Sequence, residues 1–523
     1  MMNLPRRAFN RAVLLGSLGV ASTQAWPGMA VAAEGDTLKI ALMKPAGNLD
    51  PHIYRGVWGV QSIIYDPLVV YGDNGTLNPG LAESWSVSED GKVLTFKLRK
   101  NVKFHDGTPW NAEALKWNFD RWIGKEDHSW IVTSANYDSL KIVDPETVEL
   151  HLKKRIPQAL MELTVVRPVR FLSPASAAAD GKYQTPIGTG PWKVESSDEG
   201  KTVMVRNEDY WGQKPKFAKI EFVVMPDGRS RTAALRAGEI DIAGGDYVSP
   251  ITPEDADILK SGGVGVVTVE GTNTFVLGFN TQRPKLQDPR VRQAISLSVD
   301  RTAICNVIYA GYASPTANLF PASVPYGGKR IPVPARDVAA AKKLLDEAGW
   351  TGDGTRSKDG QPLAFELVLS EEAVHGSRAA GEVIQAELRE VGIEVTIRSL
   401  DHATRHGDIP EGKYDLTFFY SIGAPYDPHS TLTNYFLSTF YNGADGKMFT
   451  STELDPFLTE AIEGTGASPE ESYQKVYDWI EKNHAIAPLL HPQRIWAHTA
   501  RVQNFKIPPT EYDMPYEGIS LQS

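Results

Sequence analysis

At 523 residues the chain is too long for one ordinary core, and its 41% hydrophobic and 23% charged residues suit a globular protein of several structural units. The formal net charge is −10 and the charges are scattered, which gives no electrostatic footing for nucleic acid or an anionic membrane surface. The single cysteine, Cys305, excludes an intrachain disulfide and a multi-cysteine zinc site.

The N-terminus reads as an export address. "PRRAFNR" pairs Arg6 with Arg7, an aromatic follows at Phe9, and the modestly apolar "AVLLGSLGVAS" leads to small residues at Ala30 and Ala32. The pattern resembles a twin-arginine signal over residues 1–33, with an ordinary secretory signal as the alternative. Cleavage near Ala33 or Glu34 would remove three arginines and no acid, and no cysteine stands there to take a lipid. Beyond this stretch no segment approaches the roughly 18 apolar residues that a membrane span needs.

The remainder reads as mixed α/β. In "KVLTFKLRKNVKFHDG", Leu94, Phe96 and Leu98 alternate with Lys97 and Arg99, and Val102 and Phe104 resume the pattern, so a strand, a turn and a second strand are expected. "TVELHLKK" repeats the alternation through Val148, Leu150 and Leu152. "DPRVRQAISLSVDR" opens a helix with Asp288 as N-cap and Pro289 in the first turn. Cys305, in the apolar helical "RTAICNVIY", is a small buried hydrophobe. "DVAAAKKLLDEAGW" is a helix with Val338, Ala341, Leu344, Leu345 and Ala348 on one stripe, stopped at Gly349.

A strand from Phe365 to Leu369, a helix carrying Val383, Ile384, Leu388 and Val391, a stop at Gly392 and the strand "IEVTIRSL" make a βαβ unit with parallel strands. "KYDLTFFYS" is a further strand whose carboxyl end runs straight into "SIGAPYDPHST". Ligands of such sheets sit beyond the carboxyl ends of the strands, so this stretch is placed at a ligand edge.

Catalytic patterns are missing: there is no G-x-S-x-G elbow, P-loop or HExxH. His402 and His406 share a helical spacing without a third ligand nearby. Pro488 and Pro492 break any helix joining His484, His491 and His498. Asp106 in "HDG" most simply caps a turn. No enzyme activity is expected.

Several ordered phrases then resemble one family. "LAESWSVSEDGKVLTFKLRKNVKFHDGTPWNAEAL", "PIGTGPWKV", "VRNEDYWGQKP", "ALRAGEIDI", "FNTQRPKLQDPRVRQAISLSVDR" and "AAKKLLDEAGW" are similar to the extracytoplasmic solute-binding proteins of the peptide/nickel class, receptors of ABC importers. The resemblance runs from about residue 38 to the C-terminus. It implies an α/β, two-lobed periplasmic-binding-protein fold with mixed sheets and an extra subdomain. The implied divisions are 34–72, the subdomain 73–186 and 187–268 in the first lobe, 269–494 in the second, and a return over 495–523. It also implies a free periplasmic monomer with no cofactor of its own, partnered by a small-molecule or metal-chelate ligand and an inner-membrane ABC permease, and with no nucleic acid.

"LDPHIYRG", "HSWI", "RPVRFLSP", "GAPYDPH" and "PTEYDMPYEGI" resemble the nickel-binding branch. By that resemblance Tyr54, Trp130, Arg167, Tyr426 and Thr510 line a pocket for a nickel chelate or metallophore. Trp58 substitutes there for a methionine of the branch, and Ile422 stands where the branch has a tryptophan. An arginine suits chelator carboxylates because its planar fork binds them bidentately, and aromatic walls supply stacking area. An interlobe salt bridge is the alternative role for Arg167, and simple packing that for Trp130. Asp127 replaces a second arginine of the branch, and the segment after "PYDPH" lacks the histidine that can coordinate the metal there, so no direct metal ligand is expected. Peptide or other small organic solutes remain the alternative ligand. The dipeptide mode is disfavoured, because Ala424 stands where those receptors place the aspartate that holds the ligand's amine, and a buried ammonium without a counter-ion is costly.

Overall fold

The protein is described by a computed structural model over residues 36–371, 374, 376–438, 449 and 451–522. The export signal and residues 439–448, part of the histidine-free segment after "PYDPH", lie outside the described residues. No helix among the described residues is long and apolar enough to cross a membrane.

Two sheets share one strand. Thr37–Leu42 runs parallel to Lys219–Val224, which pairs antiparallel with Lys201–Arg206 and through it with Trp192–Ser197. On its other edge Thr37–Leu42 meets Ile242–Gly244. The second group runs Glu394–Ser399, Ala364–Leu369, Leu416–Tyr420 and Phe275–Phe279. The 13-residue strand Ile486–His498 joins them. Its first half pairs with Phe275–Phe279 and Ala313–Pro315, and its second half with Ile242–Gly244 and Gly265–Glu270. Each half has its own core. One gathers Leu38, Ile40, Trp192 and Phe222; the other gathers Phe275, Leu367, Ile384 and Phe418.

The βαβ unit forms as its pattern dictates. Ala364–Leu369 and Glu394–Ser399 are parallel with Phe365 opposite Val395, and the helix Ser377–Glu390 between them buries Ala380, Ile384 and Leu388. Gly392 ends the connection at φ +85, a conformation that a residue with a Cβ resists. Asp288 and Asp337 both cap their helices, accepting from the backbone N–H of Arg290 and Ala340. Gly349 follows the second helix at φ +85, and Cys305 is buried on the helix Arg301–Val307.

A separate four-stranded sheet, Ala82–Val87, Val93–Leu98, Thr147–Leu152 and Tyr137–Asp144, lies over its own core of Phe96, Phe119, Trp122 and Leu150. Here one expectation needs correction. Val102 and Phe104 are buried as their alternation requires, but they do not form a strand. Asn101 takes φ 60, and the chain closes a tight loop in which Phe104 N–H donates to Thr108 C=O and Trp110 N–H to Val102 C=O. Alternation reports burial, and two apolar residues are too few to tell a strand from a loop that plugs a core. Asp106 caps this loop, accepting from Thr108 N–H at 2.9 Å.

Candidate functional site

The site is built from loops held against the shared strand. Residues 50–56 carry Tyr54. Asp50 accepts from Arg121 Nη2 at 2.8 Å, Arg121 Nε donates to His52 Nδ1 at 3.0 Å, and His52 Nε2 reaches Arg170 C=O at 3.0 Å. An arginine can only donate, so Nδ1 must accept and the proton sits on Nε2. Burial, and then the charge of Arg121, push the His52 pKa down to about 3. The unfolded value is near 6.5, so the folded state binds fewer protons between pH 3 and 6.5. The stability that neutral His52 contributes is therefore complete above about 6.5 and falls as the pH drops towards 3. At pH 5 the loss is about 2 kcal/mol. Urea unfolding at pH 7 and pH 5 should show His52→Gln less acid-sensitive than the wild type by that amount. Equal pH dependence in the two proteins would remove His52 from this role.

Tyr54 is 43% exposed and stands over the cleft. Trp130 Nε1 donates to its hydroxyl oxygen at 2.6 Å, which leaves the hydroxyl proton for His128 Nδ1, also at 2.6 Å. Trp130 continues the wall to Tyr426 at 5.7 Å between ring centroids, and Tyr426 meets Tyr512 edge-on at 5.1 Å. Tyr512 stacks on Tyr247 at 5.1 Å and touches Trp58 at 5.4 Å. Five of the seven residues expected at the site, Tyr54, Trp58, Trp130, Arg167 and Tyr426, thus lie along one aromatic belt.

Arg167 lies over Trp58, its guanidinium carbon 3.7 Å from the ring centroid, within the range of a strong cation–π contact. Its Nη1 donates to Arg55 C=O at 2.9 Å, while Nε is buried without a partner. Burial pushes its pKa down to about 10, which still leaves it charged at neutral pH. No interlobe salt bridge uses it among the described residues.

The other two expected residues are placed differently. Thr510 is buried, its hydroxyl donating to Asp513 at 2.6 Å and accepting from Tyr512 N–H at 3.2 Å. It shapes the turn that presents Tyr512. Ile422 is half-buried against the second lobe's core and accepts from the Tyr512 hydroxyl through its C=O at 3.0 Å.

The stretch Ser421–Thr431 is a rigid turn. Asp427 is buried and accepts from Gly423 N–H at 2.7 Å and Thr431 N–H at 3.0 Å, so its carboxylate ties the loop to the first turn of the helix His429–Tyr435. Burial pushes its pKa up to about 7. Ala424 N–H donates to Thr272 Oγ1 at 2.7 Å, and Thr272 donates through N–H and hydroxyl to Glu511, at 2.7 and 2.6 Å. His429 is also buried, 2.8 Å from Gln158 and 3.4 Å from Glu162; burial pushes Glu162 up to about 7 and His429 down to about 3, so the imidazole is neutral and the contact is no ion pair. His402 and His406 sit on the short helix His402–Asp408, capped by Asp401. No group of three or more His, Cys, Asp or Glu is placed to hold a metal ion among the described residues.

Sequence reasoning missed Tyr247, Tyr512, His128 and Glu511. Tyr512 was within reach, two residues beyond Thr510 in "PTEYDMPYEGI". "GGDY" carried a weaker sign, a glycine pair ending a short strand just before an aromatic.

With this geometry in place, comparison with known proteins gives consistent matches. The family model described as "Bacterial extracellular solute-binding proteins, family 5 Middle" matches residues 76–443. The nickel-binding periplasmic protein of Escherichia coli (strain K12) is 30% identical over 505 residues, covering 93% of this chain and 95% of its own. A solved ABC transporter substrate-binding protein from Sinorhizobium meliloti is 49% identical with a TM-score of 0.85, covering 93% of this chain and 100% of that one. NikA from Brucella suis, solved in complex with Fe(III)-EDTA, is 31% identical with a TM-score of 0.86 and the same coverage.

Proposed function

The chain belongs to family 5 of the bacterial extracellular solute-binding proteins, and we propose that it captures a nickel chelate or metallophore between its lobes in the periplasm and hands it to an inner-membrane ABC permease. The observation that carries this reading is the buried, uncompensated cation at Arg167 beside a belt of tyrosines and tryptophans. A metal wrapped in a small carboxylate-bearing chelator presents both the charge and the flat organic surface that such a wall receives. The metal is cargo here, held by its chelator. The 30% identity to a nickel-binding periplasmic protein supports the same reading. Ligand bound to both walls would favour the closed arrangement, a hinge-type population shift that a permease can sense.

Calorimetric titration of the purified protein with nickel alone, nickel plus histidine, and a dipeptide library tests it. Heat is expected with nickel plus histidine and not with nickel alone. A dipeptide that binds tightly while both nickel conditions stay silent would replace the nickel reading with a peptide one.

A further inference from the structure

The strand Ile242–Gly244 ends against Trp496. Gly244 and Gly245 take φ +141 and +72, and a Cβ on either would come within 2.9 Å of the tryptophan ring. Only glycine fits this close approach, and Ser249 locks it, its hydroxyl accepting from Gly244 N–H at 3.0 Å. The next two residues are thereby thrown past the strand's carboxyl end into the cleft. Tyr247 goes to the aromatic belt, stacked on Tyr512 and 5.2 Å from Trp58. Asp246 goes beside it, exposed and making no hydrogen bond or ion pair among the described residues.

An exposed aspartate is ordinarily a solvated surface group. Asp246 differs in its surroundings. Tyr247 adjoins it, and Glu511, Arg494 and Tyr420 lie close enough to share its electrostatic surroundings. Partial loss of water in this recess, reinforced by Glu511, pushes its carboxyl up to about 6. The cleft therefore holds an unpaired carboxylate on one side of the Trp58–Tyr247–Tyr512 stack and the unpaired Arg167 guanidinium over Trp58. Two opposite charges without an ion-pair partner around one aromatic stack are the complement of a ligand that carries both.

We propose that Asp246 is the cleft's acceptor for an amino N–H of the ligand, while Arg167 holds its carboxylate, so that the ligand is an aminocarboxylate with at least one N–H. This rests on the receptor reading and narrows its ligand class. A metal-bound primary amine keeps its N–H donors, so an amino acid meets this requirement free or wrapped around nickel. A tertiary-amine chelator or a hydroxycarboxylate does not. It also gives the Ala424 position a physical sense, because the counter-charge for the amine is supplied from the first lobe instead of the Ser421–Thr431 loop.

The test compares wild type and Asp246→Ala in calorimetric titrations with nickel–histidine, nickel–nitrilotriacetate, nickel–citrate, histidine alone and a simple dipeptide. Alanine removes both the charge and the acceptor at an exposed position, and thermal melts confirm the fold. Wild type is expected to prefer nickel–histidine to the two complexes without N–H by about tenfold or more, and the variant to lose most of that preference. Selectivity unchanged in Asp246→Ala overturns the inference, as does a wild type that prefers nitrilotriacetate or citrate complexes; the latter leaves the nickel reading standing. Binding of free histidine or dipeptide while every nickel complex stays silent, weakened in Asp246→Ala, supports Asp246 in this role and removes the nickel reading.

Discussion

Arg167→Ala is expected to weaken binding of a carboxylate-bearing ligand by about 2 to 4 kcal/mol, roughly thirty- to a thousandfold in Kd. Nε has no partner, and the carbonyls of Arg55 and Gly56 and a tryptophan face hold the rest of the side chain. A buried guanidinium without an anion is costly, and the wild-type chain carries that cost before any ligand arrives. A ligand carboxylate relieves it, so the gain appears in affinity. The same substitution should leave folding stability little changed or improved, which separates a binding role from a structural ion pair. Arg167→Lys is expected to recover only part of the affinity, because an ammonium offers neither the planar fork nor the stack on Trp58. Unchanged Kd in the alanine variant would take Arg167 out of the site.

Glu511→Ala is expected to destabilise the protein by about 3 to 5 kcal/mol, the range for removing one partner of a buried charge pair. Glu511 is buried, accepts twice from Thr272, and lies 3.8 Å from Arg494 Nε. Arg494 also donates to the carbonyls of Pro508 and Pro509. The loss has a second part. Thr272 Oγ1 accepts from Ala424 N–H, so Glu511 orients the hydroxyl that anchors the loop carrying Tyr426. Ligand affinity should therefore fall together with stability, while Glu511→Gln, which keeps the shape and one acceptor, should lose less of both. The urea unfolding midpoint and the calorimetric Kd check the two halves. An alanine variant as stable as the wild type would mean that Arg494 does not depend on Glu511.

Most of the architecture was legible because local rules and burial agreed. The βαβ unit, the helices after Asp288 and Asp337 and the alternating strands each followed from periodicity and caps that tertiary packing did not override. The loop at Val102–Trp110 was misread because two buried side chains satisfy a strand and a plug equally well. Within the site, Tyr54, Trp130 and Tyr426 lie some 370 residues apart at the extremes, and only the resemblance could join them in advance. Tyr247 and Glu511 had no such help. Their positions depend on the glycine pair against Trp496 and on Thr272, contacts that no local pattern encodes. Thr510 bonds through its hydroxyl to Asp513 and to the backbone of Tyr512, contacts that the resemblance did not indicate.

The strand Ile486–His498 also bears on the order in which the chain can fold. Gly265–Glu270 and Ala313–Pro315 have it as their strand partner among the described residues, although it is made roughly two hundred residues after them. During synthesis both wait without this partner until it emerges. Contacts of such long sequence separation slow folding and expose sticky edges meanwhile. The join between the two halves is therefore among the last parts of the sheet to form.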